Sequence, residues 1–103
     1  MSDFRTVAKL GDLLEDVPME AEGPGGAVVL IRRGDEVFAL DDCCSHEEYP
    51  LSEGEVENGN IMCVLHGATF DIKTGRATGL PAVMGVTTYA VRIEGEDVQL
   101  DFS

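Results

Sequence analysis

Toward its C-terminus the chain alternates apolar and polar side chains with a period of two. Tyr89, Val91 and Ile93 are separated by small or polar residues, and Val98, Leu100 and Phe102 by Gln99 and Asp101. That period lines one face of an extended strand, so it predicts two strands joined by a turn at Glu94 to Asp97. A second hairpin is expected upstream, where the strand-forming stretches Ala27 to Arg33 and Glu36 to Leu40 flank Gly34-Asp35. A third follows from the turn signal Asn58-Gly59-Asn60, which sets Val56 against Ile61-Met62. Phe4 to Ala8 and Thr69 to Ile72 read as strands, and Met19 to Glu22 as a strand held between Pro18 and the loop Gly23-Pro24-Gly25-Gly26. Lys9 to Asp16 is expected to form a turn or helical stub, Lys73-Thr74-Gly75-Arg76 a turn, and Gly79-Leu80-Pro81 a rigid bend. With no internal repeat, no low-complexity tract and no long amphipathic helix, the expected fold class is all-β.

At 103 residues there is room for one domain, with a core small enough for a metal centre to matter to its stability. The opening Met1-Ser2-Asp3-Phe4-Arg5 has no apolar run, so neither a signal peptide nor a membrane span is expected and a cytoplasmic location is. Three cysteines, an odd number without the spacing of a disulfide framework, agree with a reducing compartment and with thiolates kept for metal.

Net charge is −13, and its distribution is uneven: between Arg33 and Lys73 stand ten acidic residues and no basic one. Such a field repels nucleic acid, whose phosphates need Lys and Arg. Asp41, Asp42, Glu47, Glu48, Glu53, Glu55 and Glu57 flank the first of the metal-ligating segments described next. They are expected to dock on basic partner surfaces.

Both histidines of the chain fall in two short segments, Cys44-Ser45-His46 and Cys63-Val64-Leu65-His66. Cys and His are the usual ligands of zinc and iron–sulfur centres. A structural zinc finger groups Cys with Cys and His with His, whereas each segment here carries one of each. That suits a two-iron cluster better, one iron held by the cysteines and the other by the histidines. A zinc clip stapling two loops is the competing reading. Geometry alone also leaves Cys43 as a substitute for Cys44.

The two motifs, Cys-x-His and Cys-x-x-His with sixteen residues between them, resemble the Rieske [2Fe–2S] signature. Leu51-Ser52-Glu53-Gly54, His66-Gly67, Phe70-Asp71, Thr74-Gly75 and the ending Val91-Arg92-Ile93-Glu94-Gly95 are similar to small bacterial Rieske ferredoxins, so the resemblance spans nearly the whole chain. It implies the Rieske fold: an antiparallel β base from 1–41 and 83–103, with a cluster-binding lobe of about 42–82 inserted into it. Family spacing selects Cys44 over Cys43, which is then expected to be a small buried residue. The implied ligands are Cys44 and Cys63 on the inner iron of one Rieske cluster, and His46 and His66 on the outer one, with a proline-bearing loop at Pro81 covering the site. Where respiratory Rieske proteins carry a disulfide this chain has Tyr49 and Leu65, and where they carry hydroxyl donors it has Ala68 and Phe70. In these departures the chain resembles the low-potential, soluble ferredoxin branch of the family.

The activity the resemblance implies is one-electron transfer from a flavin-containing NAD(P)H ferredoxin reductase to a terminal Rieske oxygenase acting on aromatic rings. The chain is not expected to be an enzyme. A Rieske oxygenase needs two further histidines and a carboxylate for its mononuclear iron, and no histidine remains. The alternative is a non-redox module, either zinc-stapled or like the small subunit of nitrite reductases.

Overall fold

A computed structural model of the chain describes residues 3–43, 50–64, 67–79 and 84–102. Among them are eleven strands: β1 (Phe4–Lys9), β2 (Met19–Gly23), β3 (Gly26–Arg33), β4 (Glu36–Asp41), β5 (Glu55–Glu57), β6 (Asn60–Met62), β7 (Thr69–Asp71), β8 (Ala77–Gly79), β9 (Thr88–Tyr89), β10 (Val91–Glu94) and β11 (Asp97–Asp101). They form three antiparallel sheets, ordered β1-β11-β10, β2-β3-β4-β9 and β5-β6-β7-β8. The all-β expectation holds, and no helix among the described residues is long and apolar enough to cross a membrane.

The second sheet is the middle layer. Val28, Val29, Leu30 and Ile31 of β3 are all sealed from solvent, and strand alternation divides them between two cores. Val29 and Ile31, with Leu40 of β4, join Leu51, Ile61, Cys63, Ala68, Phe70 and Ile72. Val28 and Leu30, with Val37 and Ala39, join Leu13, Ala21, Val98 and Leu100 on the other face. Tyr89 and Phe102 pack against this second core with ring centroids 5.3 Å apart, an edge-tilted geometry aromatic rings favour.

The three expected hairpins form. Arg33 faces Glu36 across Gly34-Asp35, Glu57 faces Asn60, and Glu94 faces Asp97. Asn58 and Gly59 both take left-handed φ, 53° and 79°, as a two-residue turn matched to strand twist requires. The stub after β1 is a single 3-10 turn, Leu10–Asp12. Two elements differ from the sequence reading. The alternation through Tyr89, Val91 and Ile93 suggested one strand, but the chain changes sheets at Ala90. Thr88 and Tyr89 pair with β4, while Val91 onward pairs with β11. Strand β8 is not among the expected strands, and only its last residue, Gly79, falls in the expected bend; Ala-Thr-Gly has no periodicity, and pairing with β7, through a register shift between Thr69 and Phe70, makes it a strand.

Candidate metal centre

The segment in which the first ligand pair is expected follows the end of β4, and that exit is held from several directions. The Asp41 N–H donates to the Thr87 carbonyl at 2.8 Å and the Asp42 N–H to the Ala27 carbonyl at 3.1 Å. The Tyr89 hydroxyl donates to Asp41 Oδ1. Asp42 Oδ1 accepts the Ser52 backbone N–H, and Asp42 Oδ2 the Ser52 hydroxyl, each at 2.6 Å. The two ends of the loop, ten residues apart, are thereby joined through one carboxylate. Glu20 on β2 lies beside it. The hydrogen bond to Asp42, then the negative charge there, raise the Glu20 carboxyl above its ordinary range.

Beyond Ser52, a 3-10 turn at Leu51–Glu53 runs into β5 and lies against β6. Gly54 makes that approach possible, since a Cβ there would sit 1.9 Å from the Met62 carbonyl oxygen. Next along β6 comes Cys63, 1% exposed. Its N–H donates to the Ala68 carbonyl at 2.7 Å and its carbonyl accepts the Gly67 N–H at 2.9 Å, closing the backbone of the second loop on itself. Leu51, at the foot of the first loop, and Cys63 and Ala68, at the feet of the second, belong to one buried cluster. The bases of both loops therefore meet in the same dry core.

Of the four expected ligands, Cys63 is placed; Cys44, His46 and His66 lie outside the described residues, as do Tyr49, Leu65, Pro81 and the acids Glu47 and Glu48. Among the described residues no three Cys, His, Asp or Glu side chains gather as a metal site. What can be tested is the setting of Cys63. A buried thiol at the foot of a backbone-closed loop, in one apolar cluster with Ala68 and Phe70, fits a soft, iron–sulfur type of centre and not a hard cation.

Two sequence expectations are corrected. Cys43 is exposed, not buried: it lies in the bend that follows β4, beside Asp42, which is turned inward to Ser52. Asp41 and Asp42, counted among docking acids, are committed inward, to Tyr89 and to Ser52. Glu53, Glu55 and Glu57 are exposed, the latter two on the same side of edge strand β5 while Val56 packs inward. The loop-closing role of Asp42 escaped sequence reasoning. Its only signal was an acid directly before the cysteines and a serine at hydrogen-bonding reach after them.

Comparison with known proteins gives a consistent result. Residues 3–90 match the family model described as the Rieske [2Fe–2S] domain. The chain is 37% identical over 95 residues to the ferredoxin component of biphenyl 2,3-dioxygenase from Rhodococcus jostii RHA1, covering 92% of this chain and 89% of the relative. It is 43% identical over 75 residues to the ferredoxin subunit of 3-phenylpropionate/cinnamic acid dioxygenase from Escherichia coli K12, covering 72% and 71%. Among solved structures, the ferredoxin of carbazole 1,9a-dioxygenase from Nocardioides aromaticivorans IC177 superposes with a TM-score of 0.92 at 36% identity, covering 96% of this chain and 97% of that one.

The Tyr89–Asp41 contact beneath the first loop has a pH signature. Burial first, and then the hydrogen bond to Asp41 and its charge, push the Tyr89 hydroxyl from 10.0 up to about 12. The native state thus holds this proton more tightly than the unfolded chain. Its stabilisation is complete below 10.0 and is lost as pH rises through about 12. Denaturant midpoints followed from about pH 9 to about 12 should fall more steeply for the wild type than for Tyr89→Phe; parallel curves would assign the alkaline loss to another group.

Proposed function

The chain belongs to the Rieske [2Fe–2S] family, and from that premise we propose that it is the ferredoxin of an aromatic-ring-hydroxylating dioxygenase system, receiving single electrons from a flavin-containing NAD(P)H reductase and passing them to a terminal Rieske oxygenase. The observation that carries this reading is that relatives named as dioxygenase ferredoxin components match across most of the chain. It carries one Rieske cluster and is an electron-transfer component, not an enzyme. Cytoplasmic residence completes the reading, since the reductase and its nicotinamide donor are met there.

We assign the cluster to Cys44, His46, Cys63 and His66, in a lobe of about 42–82 inserted into a base of 1–41 and 83–103 within one domain. The pairing of β4 with β9, which brackets the β5–β8 sheet, supports that division. When bound, a cluster with two thiolate and two neutral imidazole ligands supplies a one-electron acceptor of formal charge about zero, against about −2 for four thiolates. The residues of the chain do the rest. Cys63 presents its sulfur from a dry core, and the closed 63–68 backbone fixes its direction. The exposed Glu53, Glu55 and Glu57 offer a negative rim beside the first loop, to which a basic partner surface is complementary.

Cys44→Ser, Cys63→Ser, His46→Ala and His66→Ala should each abolish the visible chromophore of the purified protein, because loss of one ligand opens the centre. Cys43→Ser should retain it. A colourless Cys43→Ser beside a normally loaded Cys44→Ser would exchange the two assignments, and zinc in place of iron on metal analysis would remove the redox reading.

The reduction potential should lie near the bottom of the Rieske range, roughly −150 mV, and not near its top at about +300 mV. Ala68 and Phe70 are fully buried and have no hydroxyl to donate, whereas hydrogen bonds to charged groups contribute about 1.5–3 kcal/mol each. Film voltammetry at neutral pH decides this; a value above about +100 mV would place the protein in a different branch of the family.

Electron delivery should slow as salt rises, since exposed charges are screened beyond about 8–10 Å at physiological ionic strength. Stopped-flow reduction by the cognate reductase across a salt series should show the decline, and Glu55→Gln/Glu57→Gln should flatten it. A salt-independent rate in the wild type would remove the docking role from these carboxylates.

A further inference from the structure

We propose that Asp42 is a positioning residue for the cluster: its carboxylate closes the neck of the first ligand-bearing loop and so governs how firmly, and in what geometry, that loop holds iron. The inference rests on the reading above, in which the loop supplies Cys44 and His46.

Asp42 is the one buried charged side chain among the described residues, 8% exposed. Each of its oxygens accepts a short bond of 2.6 Å from Ser52, one from the backbone N–H and one from the hydroxyl, and Glu20 on β2 hydrogen-bonds the same carboxylate. Charge-assisted bonds of this kind are the strong class. The backbone beneath each end is anchored independently, Asp42 to Ala27 on the middle sheet and the turn after Ser52 to β6 at Gly54. The carboxylate therefore bridges two sheets across the gap that the loop must span.

Burying a charge is a costly way to join two sheets, and an apolar pair would hold them as well or better. What a carboxylate adds is direction, because its two acceptors fix both the position and the rotation of the residue that ends the loop. Groups that orient metal ligands without touching the metal commonly change metal affinity by about 10–100-fold when removed. Asp42 occupies such a place relative to the proposed ligands. None of the acids exposed on β5 does, since they point to solvent.

The test uses purified holoprotein, with the rate at which a chelator bleaches the visible absorption and the EPR g-values of the reduced form as readouts. Asp42→Ala should bleach at least about tenfold faster than wild type and shift the g-values. Ser52→Ala, which keeps the backbone bond, should move both in the same direction by less, and Ser52→Thr should restore them. Tyr89→Phe deletes the neighbouring bond to Asp41 but leaves both Asp42–Ser52 bonds in place, so it should lower the melting temperature yet leave bleaching and g-values at wild type. Wild-type bleaching and g-values in both Asp42→Ala and Ser52→Ala would overturn the proposal, as would equal acceleration by Tyr89→Phe. If Asp42→Ala does not fold, the Ser52 pair decides: a difference between Ala and Thr supports the clamp, and none overturns it. A wild-type protein without a Rieske EPR signal would instead refute the cluster reading itself, and the clamp with it.

Discussion

Burial of the middle sheet on both faces is the constraint from which the rest follows. A strand that faces water on one side alternates apolar and polar residues, but Val28 to Ile31 are sealed without interruption. Each such side chain contributes about 1.5–3 kcal/mol on removal from water. Because successive residues point to opposite faces, the same four side chains serve two cores at once. One core belongs to the β1-β11-β10 sheet and the other to the β5–β8 sheet that carries Cys63, so β3 and β4 couple them mechanically.

That coupling explains why the loop exit at Asp41 and Asp42 is so firmly held. β4 lies inside the sheet between β3 and β9, and its last residues inherit the rigidity of a strand paired on both edges. Tyr89 adds a hydroxyl from β9 while its ring rests in the second core against Phe102, so a polar contact at the loop root is braced by apolar packing behind it. The exit from β4 is thus fixed by backbone pairing, a side-chain hydrogen bond and ring packing together.

Much of this was legible in the sequence because it is written in local chemistry. Turn residues at Gly34-Asp35 and Asn58-Gly59 fixed the hairpins, and the Cys and His spacing, with its flanking motifs, pointed to the family. The misses share a cause. The sheet change at Ala90 is invisible to periodicity, which continues through it; it is set by the Asp101 N–H reaching the Ala90 carbonyl and the Asp41 N–H reaching that of Thr87. Cys43 and Asp42 were read by residue type, cysteine inward and aspartate outward, and the Ser52 clamp reverses both. The uninterrupted apolar run at Val28 to Ile31 is read from sequence only as a strand; its burial on two faces depends on the neighbours that cover it.

The distribution of charge has a structural counterpart as well as a compositional one. The ion pairs among the described residues are Arg5–Asp3, Lys9–Asp97, Arg33–Asp16 and Arg92–Glu94, and all four carboxylates lie outside the acidic stretch between Arg33 and Lys73. Exposed pairs of this kind are worth only about 0–1 kcal/mol each, so their contribution to stability is slight. Their effect on the field is larger: four of the seven cations are paired with acids outside the stretch, and none of these four pairs involves Glu53, Glu55 or Glu57. Folding thus leaves Glu53, Glu55 and Glu57 exposed at the β5 edge, just after Ser52, in an acidic stretch that places no cation beside them in sequence.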